Sequence, residues 1–238
     1  MNIKINLPEF SIAVLITVTM ILFYIYHYFA HSSFLTKYFE KKVEYSHLKK
    51  EVLYFLTKKI SGFIIMGVLA GILYKLIMNS SLEQMGLNIN HLINNLSLIL
   101  ILIAVITAIT FISQRSKPEQ NLVQMDIKEW NLSLFLIDAV GWTVYLIGYE
   151  FLFRGILLFE CYKSFGFWPA IAINVAIYSA IHMVNGKSQA IGALIFGSIA
   201  CYFTLSRGTI LIPIFMHIAL SMTADYFSIK MNKNLRFI

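Results

Sequence analysis

Glu150 and Arg154 stand four residues apart in YEFLFRG, which sets both side chains on one helical face within ion-pair reach. A carboxylate oriented in this way can take a proton from water; the plainer alternative is a mutual buried salt bridge. His182 ends YSAIH, and Asn174, Tyr178 and His182 follow at four-residue intervals, a polar stripe along one helical face. His217, Ser221 and Asp225 repeat that pattern near the C-terminus. Two polar stripes on separate apolar segments imply a shared polar cavity, although either histidine alone is equally explained by a satisfied interhelical hydrogen bond. Asp138 lies twelve residues before Glu150, about 120° round an ideal helix, and is expected to face another neighbour in a structural role.

The segments that must position these residues are apolar. Of 238 residues, 58% are hydrophobic and 13% charged, against about a quarter charged in soluble domains. Ionisable groups kept at membrane depth cost a few kcal/mol each, so they mark function by default. The expected fold is all-α: a polytopic membrane helix bundle of about seven spans near residues 10–31, 60–78, 94–113, 131–161, 167–185, 189–206 and 209–228. The fourth is long enough, at roughly 46 Å as a helix, to tilt or to break near Gly141 or Gly148, which would make eight.

Lys and Arg separate fourteen to four in the seven-span arrangement, with only Lys4, Lys75, Lys163 and Arg207 on the poorer side. This puts the N-terminus outside and the C-terminus in the cytoplasm; splitting the fourth span would give twelve to six. The net charge of +7 therefore reflects topology and anionic lipid, and no nucleic acid is expected. Residues 32–59 mix apolar and basic positions, as in an amphipathic segment at the cytoplasmic interface. The chain reads as a single membrane domain, 1–238. Cys161 and Cys201 lack metal or disulfide spacing and are expected to pack, and Gly192 and Gly197 to allow close helix contact. The first apolar run has no convincing cleavage site and reads as a retained span.

Depth supports one shared site only in part. Glu150 and His182 each lie sixteen residues from Gly166, so two helical arms would bring them level, roughly 24 Å from that turn. His217 lies nine residues from Gly208, roughly 13 Å, and needs a re-entrant loop or a different tilt to reach them.

Over roughly residues 130–228 this order of residues resembles the CPBP family (CAAX protease and bacteriocin-processing, or Abi), membrane-embedded endopeptidases whose pattern is EExxxR, FxxxH and a later His often followed four residues on by Asn. Glu150, Arg154 and Gly155 match the first motif, Tyr178 and His182 the second, and His217 the third. The stretch from His182 through Leu220 has the look of the bacterial branch, implying a bacterial cytoplasmic membrane. Tyr149 stands where the family's first Glu is expected, and Ser221 where Asn often is.

The resemblance implies hydrolysis of a peptide bond in a membrane-associated protein or peptide. Glu150 with His182 is expected to activate water, His217 helped by Ser221 to stabilise the oxyanion, and Arg154 to hold the carboxylate. Two histidines and a carboxylate are also the ligand set of a catalytic zinc site, so zinc on Glu150, His182 and His217 stays open. Metal-free glutamate chemistry ranks ahead, because no HExxH supplies paired ligands. The alternatives are a non-catalytic relative, such as a bacteriocin immunity factor or peptide-binding scaffold, and a proton-coupled small transporter.

Overall fold

The computed structural model describes residues 7–42, 44–78, 83–87 and 90–238; Lys4 falls outside them. The protein is an all-α polytopic bundle. Its helices are α1 (Leu7–Ala30), α2 (Ser33–Glu40), α3 (His47–Met78), α4 (Asn90–Ser116), α5 (Leu132–Phe165), α6 (Phe167–His182), α7 (Lys187–Arg207) and α8 (Leu211–Met231). Among the described residues, six helical segments are long and apolar enough to cross a membrane. The remaining apolar helix, α6, has 16 residues and so rises about 24 Å, short of the ~30 Å hydrocarbon thickness. Seven helices thus stand where seven spans are expected, and α5 is not split.

The helix α5 stays whole because neither candidate glycine lies at a break; each marks a close approach instead. A Cβ on Gly148 would sit 2.9 Å from Phe63 Cα, so the backbones of α3 and α5 cross almost in contact. Both helices widen into π-helical turns near this crossing, over Ile64–Leu69 and Phe151–Leu158. Residues 47–59 form the first turns of α3, which runs unbroken into the apolar stretch that follows. Lys59 in particular is buried rather than placed in a loop, at 2% exposure.

Three polar segments gather at one end of the bundle. The connection before α5 packs Met125, Ile127 and Trp130 against Phe55 of α3 and against Ile229 and Leu235 at the C-terminus. Glu129–Trp130 (β1) pairs in parallel with Arg236–Phe237 (β2), a two-residue ladder the apolar pattern does not announce. Ser228 receives a hydrogen bond from the Leu122 amide at 3.1 Å, and Asn232 donates to the Glu119 carbonyl at 3.2 Å. The first half of the chain also contributes to the main core, where Leu15, Phe23, Met66 and Tyr74 pack with Tyr149, Phe153 and Ile156 of α5.

Candidate active site

Glu150 is the last residue of regular α-helix before the π-helical turn of α5, and Arg154 lies within that turn. Arg154 Nη1 is 3.2 Å from Glu150 Oε2 and 3.3 Å from Oε1, and both side chains are fully buried. A π-helical turn shifts the backbone register and leaves carbonyls in need of donors. Asn174 of α6 supplies one, its side-chain amide donating to Phe153 O at 2.7 Å. Cys201 in turn donates its thiol to Asn174 Oδ1 at 3.1 Å, so this cysteine packs, as expected.

Tyr178 forms the wall beside the guanidinium, its ring centroid 4.1 Å from Arg154 Cζ. Gly197 makes room for it: a Cβ there would lie 3.0 Å from Tyr178 Cδ1 and 3.7 Å from Arg154 Nη2. Gly192 has nothing within 4 Å of its Cβ position, so close packing, expected of both glycines, is found only at Gly197.

His217 of α8 reaches the carboxylate directly, with Nδ1 2.6 Å from Glu150 Oε1. The depth mismatch vanishes because the turn before α8 is sunk into the protein. Thr209 and Ile210 are fully buried, and both bond to the Gly86 carbonyl, through Thr209 Oγ1 at 3.2 Å and the Ile210 amide at 3.1 Å. The segment carrying Gly86 folds back onto α5, where a Cβ on Gly155 would lie 3.2 Å from Met85 O. Residues 83–87 thus receive the α7–α8 turn, which carries His217 to Glu150.

His182 is placed beside this pair without bonding to it. Its Nδ1 lies 2.7 Å from Tyr178 O, and its ring lies 4.5 Å from the Tyr178 ring, centroid to centroid. A carbonyl only accepts, so Nδ1 carries the proton and Nε2 is left bare as an acceptor. Ser221 sits one turn beyond His217 and makes no hydrogen bond with Glu150, His182 or His217. Tyr149 packs edge-on against His217, centroids 5.7 Å apart, and its buried hydroxyl has no partner among the described residues.

This donor set does not suit a metal. Among the described residues no three His, Cys, Asp or Glu side chains are grouped to hold one, and Arg154 already balances the Glu150 charge.

A second buried polar group lies elsewhere. Asp138 of α5, Asp225 of α8 and Lys59 of α3 are 0–2% exposed, and Trp142 donates its indole N–H to Asp225 Oδ2 at 2.8 Å. Lys59 Nζ rests over the Trp142 ring, 2.8 Å from its centroid. Asp138 does face a different neighbour from Glu150. Lys59 escaped sequence reading because a lysine beside other lysines looks like loop charge; the aromatic Trp142 and Tyr145 on α5 are the signal that was present.

Residues 130–223 match the family model of the Rce1-like type II CAAX prenyl endopeptidases. Comparisons with curated proteins and with solved structures give no match. The matched residues contain Glu150, Arg154, His182 and His217 together with α5–α7 and the first part of α8, to residue 223. This portion of a multi-pass integral membrane protein is an Rce1-like domain of the CPBP family.

Proposed function

We propose that the protein is an intramembrane endopeptidase that hydrolyses a peptide bond of a membrane-associated protein or peptide, with Glu150, Arg154, His182 and His217 as its machinery. The observation that carries this reading is the Glu150–His217 contact at 2.6 Å in a pocket where Arg154 balances the buried carboxylate. Arg154 holds the carboxylate from 3.2 Å, and His217 Nδ1 turns its N–H to the same carboxylate at 2.6 Å. His217, whose side chain is 13% exposed while that of Glu150 is sealed, is the member of the pair that meets solvent. With a proton on both ring nitrogens it gives Nδ1–H to Glu150 and Nε2–H to the oxyanion as the carbonyl is attacked.

His182 presents Nε2 as the proton acceptor for water, and Glu150 stabilises the positive charge that then develops. When the amine leaves, the proton held by His182 is returned to it. Arg154 positions Glu150 and does not touch substrate. In this reading water activation rests on His182 first, with Glu150 acting through charge. Ser221 contributes little. The whole chain acts as one membrane unit, with its lysine-rich end in the cytoplasm.

The test is heavy-oxygen labelling. Proteoliposomes holding the protein are incubated in oxygen-18 water with a panel of lipid-anchored peptides, prenylated CAAX peptides among them, and with membrane proteins from the host cell. Mass spectrometry should find new C-termini carrying the label, and Glu150→Gln should reduce their rate about 1,000-fold. Unlabelled substrates throughout, or equal cleavage by Glu150→Gln, would exclude hydrolysis at this site. A proton-driven uptake lost in the same variant would favour transport instead.

A further inference from the structure

Away from the Glu150 pocket, a cavity of about 340 Å³ opens between the end of α1, α2 and the first turns of α3. Its walls are apolar and aromatic, with Phe29, Phe34, Tyr38, Phe39 and Leu53 prominent, and its charged lining residue is Lys42. Phe34 and Tyr38 are 71% and 49% exposed, so the mouth is open. We propose that this cavity binds an anionic phospholipid, with an acyl chain against the aromatic wall and the phosphate at Lys42.

Position and charge choose that occupant. The cavity begins where α1 ends after 24 helical residues, about 36 Å of rise, so it lies where the chain leaves the hydrocarbon and meets headgroups. Residues 33–59 carry seven lysines against three glutamates. Glu51 is engaged, accepting the Asp126 amide at 3.0 Å. Lys50 donates to a neutral group, the Glu40 carbonyl at 3.4 Å, and so keeps its charge unopposed there. Lys42 and Lys49 lie over tyrosine rings, at 5.4 and 3.8 Å from the Tyr38 and Tyr45 centroids. Tyrosine is enriched at membrane interfaces, where one end of the side chain is apolar and the other wet, and its ring face attracts cations. An apolar cavity with cations at its rim fits an amphiphile with a negative head, and the cytoplasmic leaflet is rich in these.

Thermal unfolding of the full chain in mild detergent tests the assignment. Phosphatidylglycerol should raise Tm by about 5 °C more than phosphatidylcholine with the same chains, because a ligand that binds only the folded state stabilises it by mass action. Glycerol phosphate, a headgroup without chains, should do nothing. Lys42→Gln should abolish the preference while leaving Tm without added lipid unchanged, and Leu53→Trp should fill the cavity and weaken the response. Lys42 is partly exposed, so its variant carries the test should the tryptophan variant fail to fold. Equal shifts from the two lipids would overturn the proposal, as would a full preference in Lys42→Gln. A shift from glycerol phosphate alone would make the site a free-anion site, and displacement of the lipid by a neutral apolar peptide would make it a peptide groove; either refutes the assignment.

Discussion

Two imidazoles in one pocket are given opposite duties by their neighbours. His182 donates Nδ1–H to Tyr178 O and so accepts at Nε2; His217 turns Nδ1 to the Glu150 carboxylate, and its proposed oxyanion role calls for a second proton on Nε2. Substituting either by Ala should lower the peptide-cleavage rate by at least 100-fold, measured in the proteoliposome assay with folding checked by Tm. Ser221→Ala should change it less than about threefold, since the hydroxyl bonds to none of the reacting groups. A loss at Ser221 comparable to that at His217 would return the serine to the oxyanion site. The unpartnered Tyr149 hydroxyl stands at the one motif position where the chain departs from a carboxylate, and the buried ring still packs on Phe153 and His217.

At the scale of elements, the site depends on how closely α3 and α5 cross and on the paired π-helical turns near that crossing. Gly148 lets the α3 backbone approach to where a side chain would collide, and Arg154 lies within the turn that follows. Gly148→Ala should therefore cost about 1–3 kcal/mol through overpacking. The two helices must also separate, moving Glu150 relative to His217, so cleavage should fall even at temperatures where the variant is folded. Unchanged Tm and unchanged rate would show that the crossing has slack. Gly192→Ala, at a position with open space, is the matched control.

For the whole molecule, the seven-span arrangement would set the two chain ends on different sides and give the connection before α5 and the C-terminal tail a shared one. The β1–β2 ladder and the Ser228 and Asn232 bonds tie those last two together. With the native cysteines replaced by serine, single cysteines at Glu119 and Asn234 should react with an impermeant maleimide from the same face of sealed vesicles. A cysteine at Lys163 should react from the other face. Labelling of 119 and 234 from opposite faces would sink the seven-helix arrangement. The buried Lys59, Asp138, Asp225 and Trp142 group joins α3, α5 and α8 near this same end.

Composition alone determined the solvent: runs of about 20 apolar residues have one stable home, and within them the backbone must be helical because lipid offers it no hydrogen bonds. Four-residue spacing likewise placed Glu150 with Arg154 and Tyr178 with His182, since such pairs lie within one helix turn. What the sequence left open was every relation between helices. It put His217 at the wrong depth, because a turn at Gly208 reads as a surface turn, and only the packed structure shows Gly86 drawing it inward. It did not announce the direct Glu150–His217 hydrogen bond, and it counted Lys59 among loop charges. Spacing along one chain fixes a face within a helix; which faces meet, and how deep, is decided by backbone contacts between segments far apart in sequence.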